Sequence, residues 1–445
     1  MIIPFASRVV LAFLLLSGAA TAHAITLDAA LARTLEKNPS ILEARARLEQ
    51  AAGRRVVLRA TALPDIRALV PGGVQGGKRA GEKSVQPFAF TRGLLSQPLF
   101  DVAIPASYRR GNIEVLLAEQ RLNVAVIEQL HTARLAYYTA AYHNSLITLG
   151  EAQRQRLESN ARAQSDRFEA GRVDRQAVTV ARLLEQEVKP RVEESRRASS
   201  GALLTLARTM GNELGPTAQL PAVDNDLSFA TFAPETETDA PAALARRADL
   251  KLARLLVRAA EEDQLIIEAA YFPAIDANIS GDYIPVSDLR RGSEGSARRS
   301  DDVVSSELRF GAAYTWRVVD NGKVGGVVAQ RRAAREINEV VLAKLEADVP
   351  RQLAQIQNNL RSINARHEAL ARATVVAEQT VTDVVSNLSE GRSSQLEYRT
   401  AEASFLKTKA GLLTVAFQQN MVRAELDRVT GRYFQFSDDT SAKLH

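Results

Sequence analysis

Residues 275–283 read Ile-Asp-Ala-Asn-Ile-Ser-Gly-Asp-Tyr, and residues 307–318 read Glu-Leu-Arg-Phe-Gly-Ala-Ala-Tyr-Thr-Trp-Arg-Val. Successive side chains of a strand point to opposite faces. One face therefore collects Ile275, Ala277, Ile279 and Tyr283, and the other Asp276, Asn278, Ser280 and Asp282. On the return, Leu308, Phe310, Ala312, Tyr314, Trp316 and Val318 lie together, opposite Glu307, Arg309, Thr315 and Arg317. Two strands of about ten residues with that period fit a barrel wall that is apolar towards lipid and polar towards a lumen. Tyr283, Tyr314 and Trp316 suit the membrane interface, where amphipathic rings collect. Weaker strands are expected at Ile66–Val70 and Phe88–Phe100. The alternative is an antiparallel sheet with one face on a soluble core, yet no separate apolar segment is left to cover it. Four strands cannot close a barrel, and open edges are not tolerated in lipid. Several chains must pool their strands if the sheet spans a membrane.

Working outward, the period changes. From Leu353 the apolar positions run Ile356, Leu360, Ile363, then Leu370, Ala377, Val381, Val384 and Leu388, with His367 and Thr374 as the only breaks. A second series runs from Tyr398 through Ala401, Phe405, Leu412 and Val415 to Val429. This 3-4 spacing is a coiled-coil seam. Val178 to Thr209 keeps it less cleanly. One helix of about 65 residues, roughly 100 Å, is expected between Gly322 and Leu388. Pro350 lies inside it, and a kink is expected there. Gly171 and Gly391 mark helix-turn tips, where the chain reverses.

The chain also repeats itself. Asn38-Pro39 through Leu63-Pro64-Asp65-Ile66 parallels Arg247-Ala248 through Phe272-Pro273-Ala274-Ile275. Leu99-Phe100-Asp101 matches Val318-Val319-Asp320, and Glu169-Ala170-Gly171-Arg172 matches Ser389-Glu390-Gly391-Arg392. Offsets of about 210 to 220 residues mean duplication of a whole architectural unit. The expected organisation is a leader at 1–24 and a first repeat at 25–212, with strands near 64–72 and 87–100 and long helices at about 105–170 and 174–210. A proline-rich irregular linker follows at 213–241. The second repeat occupies 242–431, with strands near 273–284 and 305–319 and helices at about 322–388 and 394–430, leaving a tail at 432–445.

Arg8, the apolar run Val9–Leu16 and Ala22-His23-Ala24 form a tripartite secretory leader, too short to span a bilayer. No later window approaches the roughly 18 consecutive apolar residues of a membrane helix. The chain contains no cysteine, which excludes disulfides, thiolate metal sites and a lipidated N-terminal cysteine. The small excess of Lys and Arg is dispersed, and no basic stripe with interleaved aromatics points to nucleic acid. Gly72 to Lys78 has the letters of a phosphate-binding loop, but Arg79 stands where a Ser or Thr would hold magnesium. His131, His143 and His367 lack metal-ligand spacing and are expected to be structural. No nucleophile-base-acid constellation is visible, so no catalytic residue, metal or cofactor is expected. The loops Pro71–Lys83 and Leu289–Asp302 are Gly-, Ser- and Arg-rich; Arg290, Arg291, Arg298 and Arg299 suit a solvated loop or anionic headgroups.

Several stretches carry a family resemblance in their order. They are Leu27-Asp28-Ala29-Ala30-Leu31 leading to Asn38-Pro39, Gln97-Pro98-Leu99-Phe100-Asp101, Ala259-Ala260-Glu261 to Tyr271-Phe272-Pro273, and Glu390-Gly391-Arg392 with the segment to Gly431. With the leader and the duplication, they resemble the TolC family of outer-membrane efflux proteins. The resemblance implies a mainly α fold with membrane β, in which a homotrimer pools four strands per chain into one barrel and long antiparallel helices form a periplasmic tunnel. It implies an outer-membrane exit duct of a tripartite efflux or type I secretion system, working with a periplasmic adaptor (membrane fusion) protein and an inner-membrane pump of RND or ABC type. It also implies an aperture near the glycine turns, where Glu397 keeps the family's acidic pattern and Thr400 departs from it. Asp174 stands at the matching first-half turn, and Arg392 or Arg399 would pair with it as a latch. Glu397 reads equally as an ordinary solvated helix residue. The competing function is a periplasmic coiled-coil adaptor or scaffold without a pore.

Overall fold

The computed structural model describes residues 24–76, 85–212, 220–225, 227–230, 236–283 and 306–432. The leader, the loop 284–305 with its four arginines, Lys78 of the phosphate-loop letters and nearly all of the tail lie outside the described residues. The chain runs α1 (Leu27–Lys37), α2 (Pro39–Ala60), β1 (Asp65–Leu69), β2 (Gly72–Gly76), β3 (Val85–Ala89), β4 (Thr91–Phe100), α3 (Ala103–Glu169) and α4 (Arg175–Thr209). The second half gives α5 (Thr236–Arg246), α6 (Ala248–Glu268), a 3₁₀ turn at Ala269–Tyr271, β5 (Ala274–Tyr283), β6 (Ser306–Thr315), α7 (Lys323–Ser389) and α8 (Gln395–Thr430).

Two compact units cut across the sequence repeats. One comprises 37–131, 230–366 and 421–445; the other comprises 1–36, 132–229 and 367–420.

In the first of these units the sheet has order β1-β4-β5-β6, antiparallel throughout. The helices that lead into or out of these strands follow the same order. Arg54 and Arg59 of α2 reach Glu114 and Asn112 of α3 at 3.1 and 2.6 Å. Arg109 and Arg110 of α3 reach Glu262 and Asp263 of α6 at 2.7 and 2.8 Å. Arg254 of α6 reaches Glu346 of α7 at 2.8 Å. The row α2-α3-α6-α7 thus continues β1-β4-β5-β6. Val349, Leu353, Ile356 and Leu360 of α7 pack with Ala243, Leu250, Leu426 and Val429. That is the first stretch of the seam, buried as its spacing predicts.

The strand-to-helix junctions explain one repeated motif. Asp101 accepts from the Ala103 amide at 2.8 Å, and Asp320 accepts from Val324 at 2.7 Å and Gly322 at 3.0 Å. Each aspartate satisfies amides that a helix start leaves unpaired. These backbone hydrogen bonds, from Val324 first, hold the Asp320 carboxyl below its ordinary value.

In the other unit Leu157 of α3, Leu184, Val188 and Val192 of α4 and Tyr398 of α8 form one apolar cluster. Burial along α4 falls at Val178, Ala181, Leu184, Val188, Val192, Ser199, Ala202, Leu206 and Thr209, a cleaner seam than the letters suggest. A second cluster joins Ala133, Tyr137 and Ala140 to Leu206, Met210, Ala30 and Val223. Ile25 pairs its backbone with Val223, and its amide donates to Ala222 at 2.7 Å, so the linker is pinned there. His367 does not pack as an apolar knob; it stacks flat on Phe229, with ring centroids 3.5 Å apart.

Two expectations change. The region expected to be one strand from residue 87 divides at Phe90 into β3 and β4, and β3 pairs with β2 as a separate hairpin. Gly72–Gly76, the would-be phosphate loop, is strand β2 of that hairpin. The linker is shorter than 213–241: α5 begins at Thr236 and contains Pro241, because Ala243 is buried against Leu250 and the α7 seam. Helix α7 is continuous through Pro350, and α4 through Pro190, and both prolines are exposed.

Four helix ends share one device. Gly171, Gly211, Gly391 and Gly431 have φ of 68°, 69°, 76° and 67°. The amide after each glycine bonds back to the last turn, at 2.8 Å for Arg172 to Arg167 and 2.8 Å for Arg392 to Asn387. This is the Schellman closure, in which glycine takes the left-handed position without a Cβ penalty. A Cβ at Gly431 would meet Arg246 Cβ at 3.2 Å, whereas one at Gly391 meets nothing within 4 Å. Gly391→Ala should therefore cost only the left-handed penalty of about 1–2 kcal/mol. Gly431→Ala should cost more, giving the larger drop in midpoint when the two variants are compared by thermal unfolding in detergent.

Candidate functional site

Two regions carry functional geometry: the four-stranded sheet, and the turns at Gly171 and Gly391.

Register decides the sheet. Ile66, Leu95, Ile279 and Phe310 are directly cross-strand neighbours, one per strand. Ala68, Gly93, Gly281 and Leu308 form the next row on that face. Ile66, Phe310 and Leu308 are 71%, 70% and 62% exposed, so nothing within the described chain covers it. The opposite face carries charge in pairs. Arg92 of β4 reaches Asp282 of β5 at 2.6 Å, Arg309 reaches Glu307 at 2.6 Å, and Arg67 pairs with Asp65. A sheet with an unpaired apolar face and a charge-paired polar face suits a boundary between hydrocarbon and water. Both edges, β1 and β6, end without a strand neighbour among the described residues.

The aromatics sit at both ends of this sheet. Tyr283 closes β5 opposite Thr91 and Ser306. Tyr314 lies at the other end, opposite Ile275, and Trp316 follows β6, donating its indole N–H to the Tyr271 carbonyl at 3.2 Å. Tyr271 and Phe272 are half-exposed at the same end.

At the turns, sequence reasoning missed a capping box. The Glu397 amide donates to Ser394 Oγ at 3.2 Å, and Glu397 Oε2 accepts from the Ser394 amide at 3.0 Å. Ser394-Gln395-Leu396-Glu397 is the S-x-x-E signature of a helix start, so the signal stood in the letters. Glu397 is therefore an exposed carboxylate already engaged by its own backbone. Thr400 turns back onto the Leu396 carbonyl at 2.9 Å.

The residues expected to form the latch have these partners in the structure. Asp174 caps α4 by accepting from the Ala177 amide at 2.8 Å. Arg392 pairs with Glu390, two residues away. Arg399 approaches Glu187 of α4 at 3.6 Å.

Arg167 is the stronger clasp, and no sequence motif announces it. Its guanidinium donates to the carbonyls of Leu388 and Ser389 at 2.9 and 3.1 Å, closing the C-terminus of α7 from α3. A cation there also meets the negative end of the helix dipole. Nearby, Asn160 donates to Gln395 at 3.2 Å. Deeper in the bundle Arg156 holds Glu402 Oε1 at 2.8 Å, and Glu402 is 2% exposed. A groove of about 580 Å³ runs between α3, α7 and α8 beside these groups, lined by Arg156, Asn160, Gln164, Arg167 and Tyr398.

No cluster of three His, Asp or Glu side chains able to hold a metal occurs among the described residues. His131 lies 3.5 Å from Glu425. Burial lowers the His143 pKa below its ordinary value, with Glu194 opposing the shift. No described helix is long and apolar enough to cross a membrane.

Burial, then the Glu402 carboxylate, pushes the Tyr398 phenol up to about 12, against 10.0 for a free tyrosine. The native state keeps this proton longer than the unfolded chain does. The stability it contributes is complete below pH 10 and is lost as pH rises towards 12. In an ultraviolet phenolate titration, Tyr398→Phe should delete the transition at highest pH and flatten the alkaline loss of stability.

The comparisons with known proteins agree with this geometry. The model of the outer membrane efflux protein family matches residues 30–212 and 240–432. Among solved structures, the outer membrane protein VceC from Vibrio cholerae superposes with TM-score 0.76 at 17% identity, covering 91% of this chain and 96% of that one. The CmeC outer membrane channel of Campylobacter jejuni gives 0.76 at 14% identity, covering 94% and 88%. The MtrE outer membrane channel of Neisseria gonorrhoeae, in its open state, gives 0.70 at 17%, covering 91% and 88%. A search of curated proteins finds no significant match. With both halves of the chain matched by one family model and the fold shared along more than nine-tenths of its length, this protein belongs to the outer membrane efflux protein family.

Proposed function

We propose that three copies of the chain form an exit duct through the outer membrane, with their long helices lining a periplasmic tunnel. The observation that carries this reading is the two-faced sheet with both edges open. Its apolar row needs lipid, and its edges need other strands. Three chains with four strands each supply a twelve-stranded ring. Tyr283 at one end and Tyr314 with Trp316 at the other then mark the two interfaces.

The duct conducts passively. It receives substrate from an inner-membrane pump of RND or ABC type through a periplasmic adaptor, and no chemical step occurs in it. The turn regions at Gly171 and Gly391 form the periplasmic aperture, with Glu397 repeated around the axis as an acidic ring that favours cations. A scaffold without a pore would leave the exposed row Ile66, Leu95, Ile279 and Phe310 facing water with no partner, and the family match disfavours it.

Two measurements test this reading. Detergent-purified protein from the outer-membrane fraction should scatter light as a species of about three chain masses; a monomer soluble without detergent sinks the duct. Glu397→Gln keeps an acceptor for the Ser394 amide while removing the charge. In planar bilayers it should bring the cation-to-anion permeability ratio several-fold closer to one. An unchanged ratio removes the acidic ring.

A further inference from the structure

The residue that follows the expected leader is held through its backbone. The Ile25 amide donates to the Ala222 carbonyl at 2.7 Å, and the Ile25 carbonyl accepts from the Tyr137 hydroxyl of α3 at 3.2 Å. Ile25 also forms a parallel bridge with Val223 of the linker. One residue later the helix start is satisfied: the Thr26 carbonyl accepts from the Ala30 amide at 3.0 Å, and Thr26 Oγ1 accepts from the Ala29 amide at 3.4 Å. Ile25, Leu27 and Leu31 then pack on the buried cluster around Tyr137, Leu206, Met210 and Val223. Ala24, by contrast, is exposed.

Ala22 and Ala24 put small residues three and one before the Ala24–Ile25 bond, the pattern a leader peptidase requires. Hydrolysis there adds the hydroxyl of water to the Ala24 carbonyl carbon and its proton to the Ile25 nitrogen, which solvent protonates further to an ammonium. The ammonium takes the place of the amide and makes its bond to the Ala222 carbonyl a charge-assisted one. An uncleaved chain offers an amide at the same point, so chemistry alone does not make the bond wait for cleavage. Distance does. Tyr137 lies about 32 residues, or roughly 48 Å, before the end of α3 at Glu169, and Met210 is about as far from the start of α4 at Arg175. Both helices end at the Gly171 turn, which the proposed duct directs towards the inner membrane. The apolar run of the leader ends at Leu16, and fully extended chain from there to Ile25 reaches at most about 32 Å. A leader still seated in the inner membrane therefore falls roughly 16 Å short of placing Ile25 in its site.

We infer that the Ala24–Ile25 bond is a processing site on which the fold depends: its hydrolysis by a leader peptidase creates the amino terminus that pins the linker, and the pin closes only after cleavage. This rests on the proposed orientation of the helices and adds an order of events, with cleavage first, docking of Ile25 to Leu31 second and the pinned linker last.

The absence of cysteine makes the test clean. Ile25→Cys with Val223→Cys places two thiols at the bridge, and their protection from a maleimide before, but not after, reduction reports docking. Intact mass gives the first residue of the parent chain and reports any acylation of the new thiol at position 25. Ala22→Asp blocks cleavage while leaving Ala24 and the bond itself unchanged. A second blocked version carries about twenty Gly and Ser residues inserted after Ser17, which lengthen the reach well past the missing distance. The parent should begin at Ile25, the processed pair should link, the blocked precursor should keep both thiols free, and the lengthened precursor should link again. A blocked precursor that links as fully as the processed chain overturns the order of events. A lengthened precursor that stays unlinked overturns distance as its cause, and a parent chain beginning elsewhere overturns the site. The scattering mass of the parent, measured separately, decides the proposed trimer whichever of these results appears.

Discussion

The backbone amides and carbonyls along β1 and β6 govern everything else in this molecule. In hydrocarbon each unpaired group costs several kcal/mol, because no water is present to replace the missing partner. A sheet of four strands leaves two such edges. The chain therefore cannot be complete as a monomer in a membrane, and its remaining features suit a repeating unit. The apolar rows stay uncovered, the end helices α2 and α7 expose Leu42, Val56, Ile337 and Val340, and the two halves meet centrally at β4 and β5, joined by nine residue pairs and the ion pair of Arg92 with Asp282.

Within the helical region the demand is the same but is met locally. Four left-handed glycines close helix ends by backbone bonds, Asp101 and Asp320 pair the amides of α3 and α7, and Asp174 and the Ser394–Glu397 box pair those of α4 and α8. Long helices gain little from propensity alone; their stability comes from packing along a stripe. Buried clusters around Leu353 and Leu426 in one unit, and around Leu184 and Tyr398 and around Tyr137 and Leu206 in the other, supply it. The repeats diverge where a local solution can vary. Asn38 caps α2 by accepting from Ser40 and Ile41, whereas Arg247, its counterpart, makes no side-chain cap and pairs with Asp249 and Gln352 instead.

Much of this was legible because it is periodic. Alternation located β5 and β6, heptad spacing located the seam of α7, and Gly171 and Gly391 located the turns, each from residues close in sequence. The small hairpin of β2 and β3 was not legible, since its glycine-rich strand carries no apolar alternation to distinguish it from a loop. Nor was the pairing of Arg92 with Asp282, which joins residues 190 apart and depends on a register that only the folded sheet defines. Arg167 belongs to the same class: a cation donating to carbonyls more than two hundred residues away leaves no local trace. The Ser394–Glu397 box is different. Its letters were sufficient, since Ser394-Gln395-Leu396-Glu397 carries the start signal locally.

The sheet's strand number has a consequence for assembly. With four strands per chain the first and last run in opposite directions, so in the proposed ring each junction between copies would be antiparallel, whatever their number. Two, three or five chains would all satisfy the backbone equally; an odd count of strands per chain would have forced a parallel seam somewhere in the ring. Parity thus makes closure possible without choosing its size.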